Sequence, residues 1–339
     1  MSETQFDVVG IGNAIVDILA YTSDDFLQKN GLIKSAMALV DEKKATELYK
    51  KMGTATECSG GSAANTIAGI AALGGRTAFI GKTANDQLGD IFRHDMKTLK
   101  VNFTTKPLEN GPSTATCLVL VTNEEKMQGA REVMKAERTM ATFLGAAREI
   151  TIADIDAEII KNSQITYLEG YLWDAEPAKT AIAKAMEIAS ANGRKVAFSL
   201  SDAFCVERHR AAFMDLLENH IDILFANESE IKSLFREKDL RMVLPVLKGI
   251  CEIAVVTRSD KGSIIITKDE IHNIEAVKVT EVYDVTGAGD LYASGFLYSL
   301  VNGFDLPKCG KLASLASAEV IKYLGGRPLT KLTELLKLL

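Results

Sequence analysis

The sequence predicts an α/β fold, built on a largely parallel sheet covered on both faces and carrying a small β-sheet lid. Three observations carry that expectation. Short, continuous apolar runs recur along the chain: FDVVGI (6–11), TAFIG (77–81), QITYLEG (164–170), KVAFSL (195–200), DILFA (222–226), EIAVVT (252–257) and SIIIT (263–267). Such runs are what strands buried on both faces require. Helical patterns at 62–73, 86–99, 175–191, 204–219, 227–235 and 239–249 fall between them, and the chain ends in helix-like segments at 288–302, 307–324 and 330–338. Strand–helix alternation of this kind points to parallel pairing with crossover helices.

Two stretches break the alternation, and they define the lid. Residues 13–56 contain AIVDILAY and SAMALVDE, and residues 101–146 contain NFTTKPL, STATCLVLVT and AERTMATFLG. Their period-two character predicts antiparallel strands with one exposed face. The expected organisation is therefore a core of 1–12, 57–100 and 147–339 with a lid of 13–56 and 101–146. The charged segment 124–136 reads as a solvated hairpin tip rather than a short helix.

Composition excludes several classes. A length of 339 residues suits one large domain, 47% hydrophobic and 25% charged residues are ordinary for a globular protein, and a net charge of −6 offers no footprint for nucleic acid or an anionic membrane. The five cysteines are dispersed without C-x-x-C, so they read as reduced core residues of a cytoplasmic protein. No apolar run reaches membrane-spanning length, and the first strand pattern starts too early to leave room for a signal peptide. The four histidines lack metal spacing and read as surface residues.

The chemistry concentrates in YDVTGAGDLYASGF, residues 283–296, where Asp284 and Asp290 flank Thr-Gly-Ala-Gly ahead of a helical pattern. A glycine-rich turn at a helix start aligns backbone N–H groups with the positive end of the helix dipole, which suits phosphate. A carboxylate at Asp290 would repel that phosphate unless it serves as a general base for an attacking hydroxyl. Simple capping by Asp290 is the alternative, and Asp284 suits a hydrated cation or the loop entrance.

These residues carry a resemblance. Asp284–Phe296 is similar to the second signature of the ribokinase-like (PfkB) carbohydrate and nucleoside kinases, and Ser59-Gly-Gly-Ser-Ala-Ala-Asn65 resembles their first. Similarity extends from GIGNAIVDI through NESE and VTRSDKGS to GGRP. The resemblance implies a three-layer α/β/α core with a β-sheet lid, and transfer of the ATP γ-phosphoryl group to a sugar hydroxyl with Mg²⁺. It leaves open a monovalent cation such as K⁺. It implies that Asp290 is the base, that the N–H groups of Gly287, Ala288 and Gly289 form the anion hole, that Gly60-Gly61 is a hinge, and that Asn65 holds sugar hydroxyls.

Further residues follow. Asn13 and Asp17, four apart on an extended segment, suit a vicinal-diol clamp. Asn227 and Glu230, after the strand DILFA, resemble an Asn-x-x-Glu motif that holds Mg²⁺ through water, and they also read as a helix cap. Thr257 and Gly262 are candidates for the ATP edge, with a plain hairpin turn as the alternative. Arg138, in the lid, would by resemblance to adenosine kinases swing in over the transferring phosphate. GYLWD resembles the segment whose aromatic stacks on a purine, which implies that role for Tyr171 or Trp173. GNAIVD, ERTM, FSLSDAFCV and GYLWD resemble adenosine kinases, which implies a purine nucleoside acceptor, adenosine first, phosphorylated at its 5′-hydroxyl; GGSAANT resembles the sugar-kinase version and implies a ribokinase- or fructokinase-like sugar kinase. Monomer and homodimer both remain open. Two other motifs fail on spacing: GGRTAFIGKT has five residues where a P-loop needs four, and GIGNAI lacks the third glycine of a dinucleotide fingerprint.

Overall fold

A computed structural model describes residues 4–128 and 131–339, the side chains of 123–136 excepted. In chain order, β1 (Phe6–Ile11) and β2 (Ile15–Tyr21) precede α1 (Asp24–Lys29), β3 (Met37–Leu39), α2 (Glu42–Lys51) and β4 (Thr56–Gly60). Then come α3 (Ser62–Ala72), β5 (Thr77–Ile80), α4 (Gln87–Thr98) and the long pair β6 (Ala115–Gln128) and β7 (Arg131–Phe143). The chain continues through α5 (Ala157–Lys161), β8 (Ser163–Glu169), α6 (Glu176–Ala191), β9 (Lys195–Ser199), α7 (Ala203–Asn219), β10 (Ile223–Asn227), α8 (Glu228–Phe235) and α9 (Leu240–Leu247). It closes with β11 (Ile253–Thr257), β12 (Ser263–Ile266), β13 (Ile271–Ile274), α10 (Ala288–Val301), α11 (Leu306–Val320) and a 3₁₀ segment, Leu332–Leu338.

Eight strands form the main sheet in the order β13-β12-β11-β10-β9-β8-β1-β5, parallel from β5 to β11 and antiparallel at β12 and β13. Alternate side chains serve opposite layers, as the pleat demands. Val9, Leu168, Val196, Phe198, Leu224 and Val256 pack with Ile182 of α6, Phe213 of α7 and Ile231 of α8. Val8, Phe79, Ile165, Tyr167, Phe225 and Val255 pack on the other side with Ile67 and Ile70 of α3, Phe92 of α4 and Phe296 of α10. These two clusters make the core a three-layer α/β/α sandwich. Strand order reverses at β1, between β5 on one side and β8 on the other, so the carboxyl ends of β1 and β8 open the crevice where such sheets bind ligands.

The lid is a five-stranded sheet, β3-β7-β6-β2-β4, and it departs from expectation in three ways. β4 belongs to it, so 57–60 moves from core to lid. The sheet is mixed: β2–β6 and β3–β7 are parallel, whereas β2–β4 and β6–β7 are antiparallel. Neither face is bare. Val16, Ile18, Leu118, Leu120 and Ala141 pack with Leu27 of α1, Leu48 of α2 and Met96 of α4, and α1 and α2 are helices that the period-two reading missed. Those helices are short and begin at Ser23 and Asp41 caps, signals that a strand pattern obscures. The opposite face carries Leu19, Cys117 and Val119 together with Asp17 and, across the β6–β7 ladder from Val121, Arg138. The backbone of 124–136 continues that ladder as far as Gln128 opposite Arg131, with 129 and 130 outside the described residues. β13 is an additional edge strand, and the 330–338 helix is 3₁₀ over Leu332–Leu338. Among the described residues no helix is long and apolar enough to cross a membrane. All five cysteines are free thiols, with Cys117, Cys205 and Cys309 buried.

Candidate active site

The candidate site lies between the lid face that carries Asp17 and the carboxyl edge of the main sheet. Its centre is the start of α10. Gly287 is the N-cap residue, with φ +75°, a left-handed conformation open to glycine at little cost. Asp290 then occupies the third helical position. Its Oδ1 accepts from Ser62 Oγ–H at 2.7 Å and its Oδ2 from Asn65 Nδ2–H at 3.0 Å. Burial pushes this carboxyl up to about 6 against those two bonds, which favour the charged form. A carboxylate poised there is ionised at neutral pH and still basic enough to take a proton.

The turn itself differs from the expected three-donor anion hole. The Ala288 N–H donates to the Val285 carbonyl at 3.2 Å, which leaves the Gly287 and Gly289 N–H groups of that set for an anion. A Cβ added at Gly289 would meet nothing within 4 Å, so that side of the turn is open space. Asp284 is buried and ties the turn down: its carboxylate accepts from the Thr286 N–H and, at 2.6 Å, from the Gly325 N–H. Of its two suggested uses, the loop entrance is the one these bonds describe. Arg138 of β7 already rests here, donating to Thr286 Oγ1 and ion-paired with Asp284. Burial lowers its guanidinium only to about 10, so it stays charged.

Asp17 of β2 is 8% exposed, and among the described residues no donor bonds its carboxylate. Burial pushes it up to about 7, with Arg327 and Arg138 opposing the rise and Asp290 adding to it. Gly60 lies against it, since a Cβ there would fall 2.2 Å from Asp17 Oδ2, and Gly61 sits at φ +90° over the Asn13 carbonyl. Asn13 is not on the strand with Asp17, as the diol clamp supposed. It lies in the β1–β2 turn, and its N–H and Nδ2–H both donate to Glu169 Oε1, at 2.9 and 2.8 Å. Glu169 Oε2 accepts from the Ala63 N–H at 2.7 Å. Glu169 thus joins the ends of β1 and β8 to the start of α3, and burial pushes it up to about 7 despite three donors.

On the far side, Asn227 and Glu230 form a reciprocal capping box on α8, with the Glu230 N–H donating to Asn227 Oδ1 at 2.9 Å and the Asn227 N–H to Glu230 Oε2 at 2.9 Å. Thr257 pairs beside Asn227 in the parallel ladder and opposite Ser263 in the β11–β12 hairpin. Gly262 belongs to that hairpin, where a Cβ would fall 1.9 Å from the Ile274 carbonyl oxygen. The hairpin reading accounts for it. Tyr171 follows β8 in a 3₁₀ turn, half-buried, its hydroxyl 3.4 Å from the Ser201 carbonyl. Its ring packs toward the α6–α8 layer and its hydroxyl feels Asp202, Glu230 and Asp290. Trp173 is a core residue, edge-on to Phe198 and Phe213, and cannot stack on a ligand.

Ser62, Glu169 and Arg327 were not singled out in the sequence. Ser62 and Arg327 had a signal, since they lie inside GGSAAN and GGRP; Glu169 is an isolated charge whose partners, Asn13 and Ala63, are more than 100 residues away. His209 is no surface residue either: its Nε2 lies 2.7 Å from Asp174 Oδ1, near Cys205, with which it forms a group of three potential ligands. Arg208 holds both oxygens of Asp174, which disfavours a metal there.

A family model described as pfkB family carbohydrate kinase matches residues 27–332. The chain belongs to the pfkB family. As a pfkB-family carbohydrate or nucleoside kinase it is an ATP-using phosphotransferase. Two solved structures are similar over almost the whole chain. An adenosine kinase from Sinorhizobium meliloti is 45% identical with a TM-score of 0.91, covering 98% of this chain and 99% of that one. A probable sugar kinase protein from Rhizobium etli CFN 42 is also 45% identical with a TM-score of 0.91, covering 99% and 98%. Adenosine kinase 2 of Arabidopsis thaliana is 24% identical over 353 residues, 96% of each chain.

Proposed function

We propose that this pfkB-family kinase phosphorylates the 5′-hydroxyl of a purine nucleoside, adenosine in the first place, with Asp290 as general base. One observation carries the chemistry: a carboxylate raised by burial and held by Ser62 and Asn65 stands in the first turn of α10, one residue after Gly289, where the turn borders open space. Asp290 takes the proton of the attacking hydroxyl, and the Gly287 and Gly289 N–H groups receive charge from the transferring phosphoryl group. Asp17, buried and without a donor among the described residues, accepts hydrogen bonds from acceptor hydroxyls. Arg138 adds positive charge from the lid at Thr286, and lid closure keeps water from competing with the acceptor.

The residues fit Mg²⁺ on charge grounds. Asp17, Glu169, Glu230 and Asp290 crowd the cleft, and Asp290 raises the other three. Glu230 and Asn227 would hold the ion through water, since each Glu230 oxygen keeps a lone pair beyond the capping box. When bound, Mg²⁺ neutralises phosphate charge.

The S. meliloti adenosine kinase supports the nucleoside, and the R. etli protein, equally similar, supports a sugar acceptor as the second reading. ADP release from Mg-ATP, measured with adenosine, guanosine, inosine, ribose, fructose and fructose 6-phosphate, decides between them. Turnover restricted to nucleosides is expected; turnover only with free sugars sinks the nucleoside reading while leaving Asp290 as base. Exchanging K⁺ for Na⁺ in that assay reads the monovalent-cation dependence that the family resemblance raises.

Gly289→Ala tests the anion site. Glycine in a helical turn costs about 0.5–1 kcal/mol against alanine, and the new methyl group meets no protein atom. The variant is expected to melt no lower than the parent yet to lose at least about tenfold in kcat/KM for ATP. A fully active variant would place the phosphate elsewhere.

A further inference from the structure

Arg327 lies in the turn after α11, far in sequence from every residue assigned above. Its guanidinium is half-buried over the Phe92 ring, 5.6 Å from the centroid. It makes no ion pair among the described residues. Its Nε–H donates to Asn65 Oδ1 at 3.3 Å, and its Nη2 lies 3.5 Å from the Gly60 carbonyl oxygen. We propose that Arg327 is a positioning residue for the candidate base, acting through Asn65.

The argument is one of amide orientation. An asparagine amide has an accepting end and a donating end of nearly the same shape, so only its partners decide which way it points. Here both ends are decided. Oδ1 faces a cationic N–H, and Nδ2 faces the Asp290 carboxylate at 3.0 Å. Turning the amide over would set NH₂ against guanidinium and oxygen against carboxylate, two repulsive contacts for two attractive ones. Remove the arginine and only one end is still specified, so the donor that aims Asp290 is free to leave it.

A second feature closes the arrangement. A Cβ at Gly326 would lie 2.5 Å from Asn65 Nδ2, so the turn that delivers Arg327 also walls in the amide. The neighbouring Gly325 N–H holds Asp284 on the other flank of the glycine turn. The segment Gly325-Gly326-Arg327 therefore braces both sides of the α10 start, although it is 35 or more residues beyond Asp290 in sequence.

This inference rests on the reading of Asp290 as base, and the test separates the two. Steady-state kinetics of Arg327→Met, Asn65→Ala and the double variant form a cycle, with melting temperature recorded for each. Each single change is expected to lower kcat by about tenfold to a hundredfold, the size of one charge-assisted hydrogen bond, with KM for ATP unchanged. The double variant should be no slower than the slower single, because both remove the same contact. Arg327→Lys, which keeps a cationic donor, should recover most of kcat. Gly326→Ala, which displaces the Asn65 amide without touching the charge, should match Asn65→Ala. Multiplicative losses in the double variant, or an Arg327→Met enzyme with normal kcat, overturn the inference. An active Asp290→Asn enzyme would instead overturn the base assignment while leaving any coupling between 327 and 65 intact.

Discussion

Asp290→Asn is expected to abolish turnover and, at the same time, to make the free protein more stable at neutral pH. Loss of a positioned base costs about 10²–10⁴ in rate. The fold has no reason to suffer: an asparagine can accept from Asn65 Nδ2–H and donate to Ser62 Oγ, replacing both bonds of the carboxylate. Stability should rise because the charge is held against burial, which lifts the folded-state value from 3.8 to about 6. Between those values the folded state binds more protons than the unfolded chain, so this group's contribution falls as pH rises through the window and stays unfavourable above it. The stabilisation by asparagine should thus be near zero at pH 4, grow toward pH 6 and level off at about 1–3 kcal/mol. Chemical denaturation of both proteins at pH 5, 6 and 8 reads it. The same titration sets the activity profile: kcat/KM should fall about tenfold per pH unit below about 6 as the base of the free enzyme protonates. A variant that turns over at the parental rate would refute the assignment, and one less stable at pH 8 would refute the account of the charge.

Glu169→Gln should destabilise the fold, most of all below neutral pH. The carboxylate is 1% exposed and receives three N–H donors, two from Asn13 and one from Ala63. Glutamine has one accepting oxygen. If it serves Asn13, its NH₂ group is left facing the Ala63 N–H across 2.7 Å, donor against donor in a buried place. That clash costs about 2–4 kcal/mol; the loss should show in full near pH 5 and shrink above pH 7, where glutamine also relieves the charge that burial opposes up to about 7, and it is read as a lower denaturant midpoint with an unchanged slope. Activity should fall with it, because Ala63 adjoins Ser62, which bonds Asp290. Retention of both midpoint and kcat would show that the bridge between β1, β8 and α3 is not needed to hold the site.

Much of the fold is legible because its signals are local. Continuous apolar runs such as FDVVGI and EIAVVT can be satisfied only by strands covered on both sides, and they land within a residue or two of β1 and β11. The Asp284–Phe296 run is equally readable, since a glycine turn and its helix are one contiguous element. The lid was read less well. Its strands are short and of mixed direction, and two small helices with caps interrupt them, so a period of two looked continuous where it was not. GYLWD shows the limit for side chains: Tyr171 and Trp173 look interchangeable in sequence, and only packing sends the indole into the Phe198–Phe213 cluster.

By itself, then, the sequence determined the α/β class, the existence of a lid, the glycine turn and the carboxylate that follows it, all properties of segments a few residues long. The tertiary structure decided which distant groups meet that carboxylate. Ser62 and Asn65 reach it from α3, Arg327 orients Asn65 from beyond α11, and Glu169 ties Asn13 to Ala63 across the crevice at β1 and β8. The reason is physical. A helix or strand is selected by neighbours along the chain, whereas a buried charge is selected by whichever donors the fold brings within about 3 Å of it.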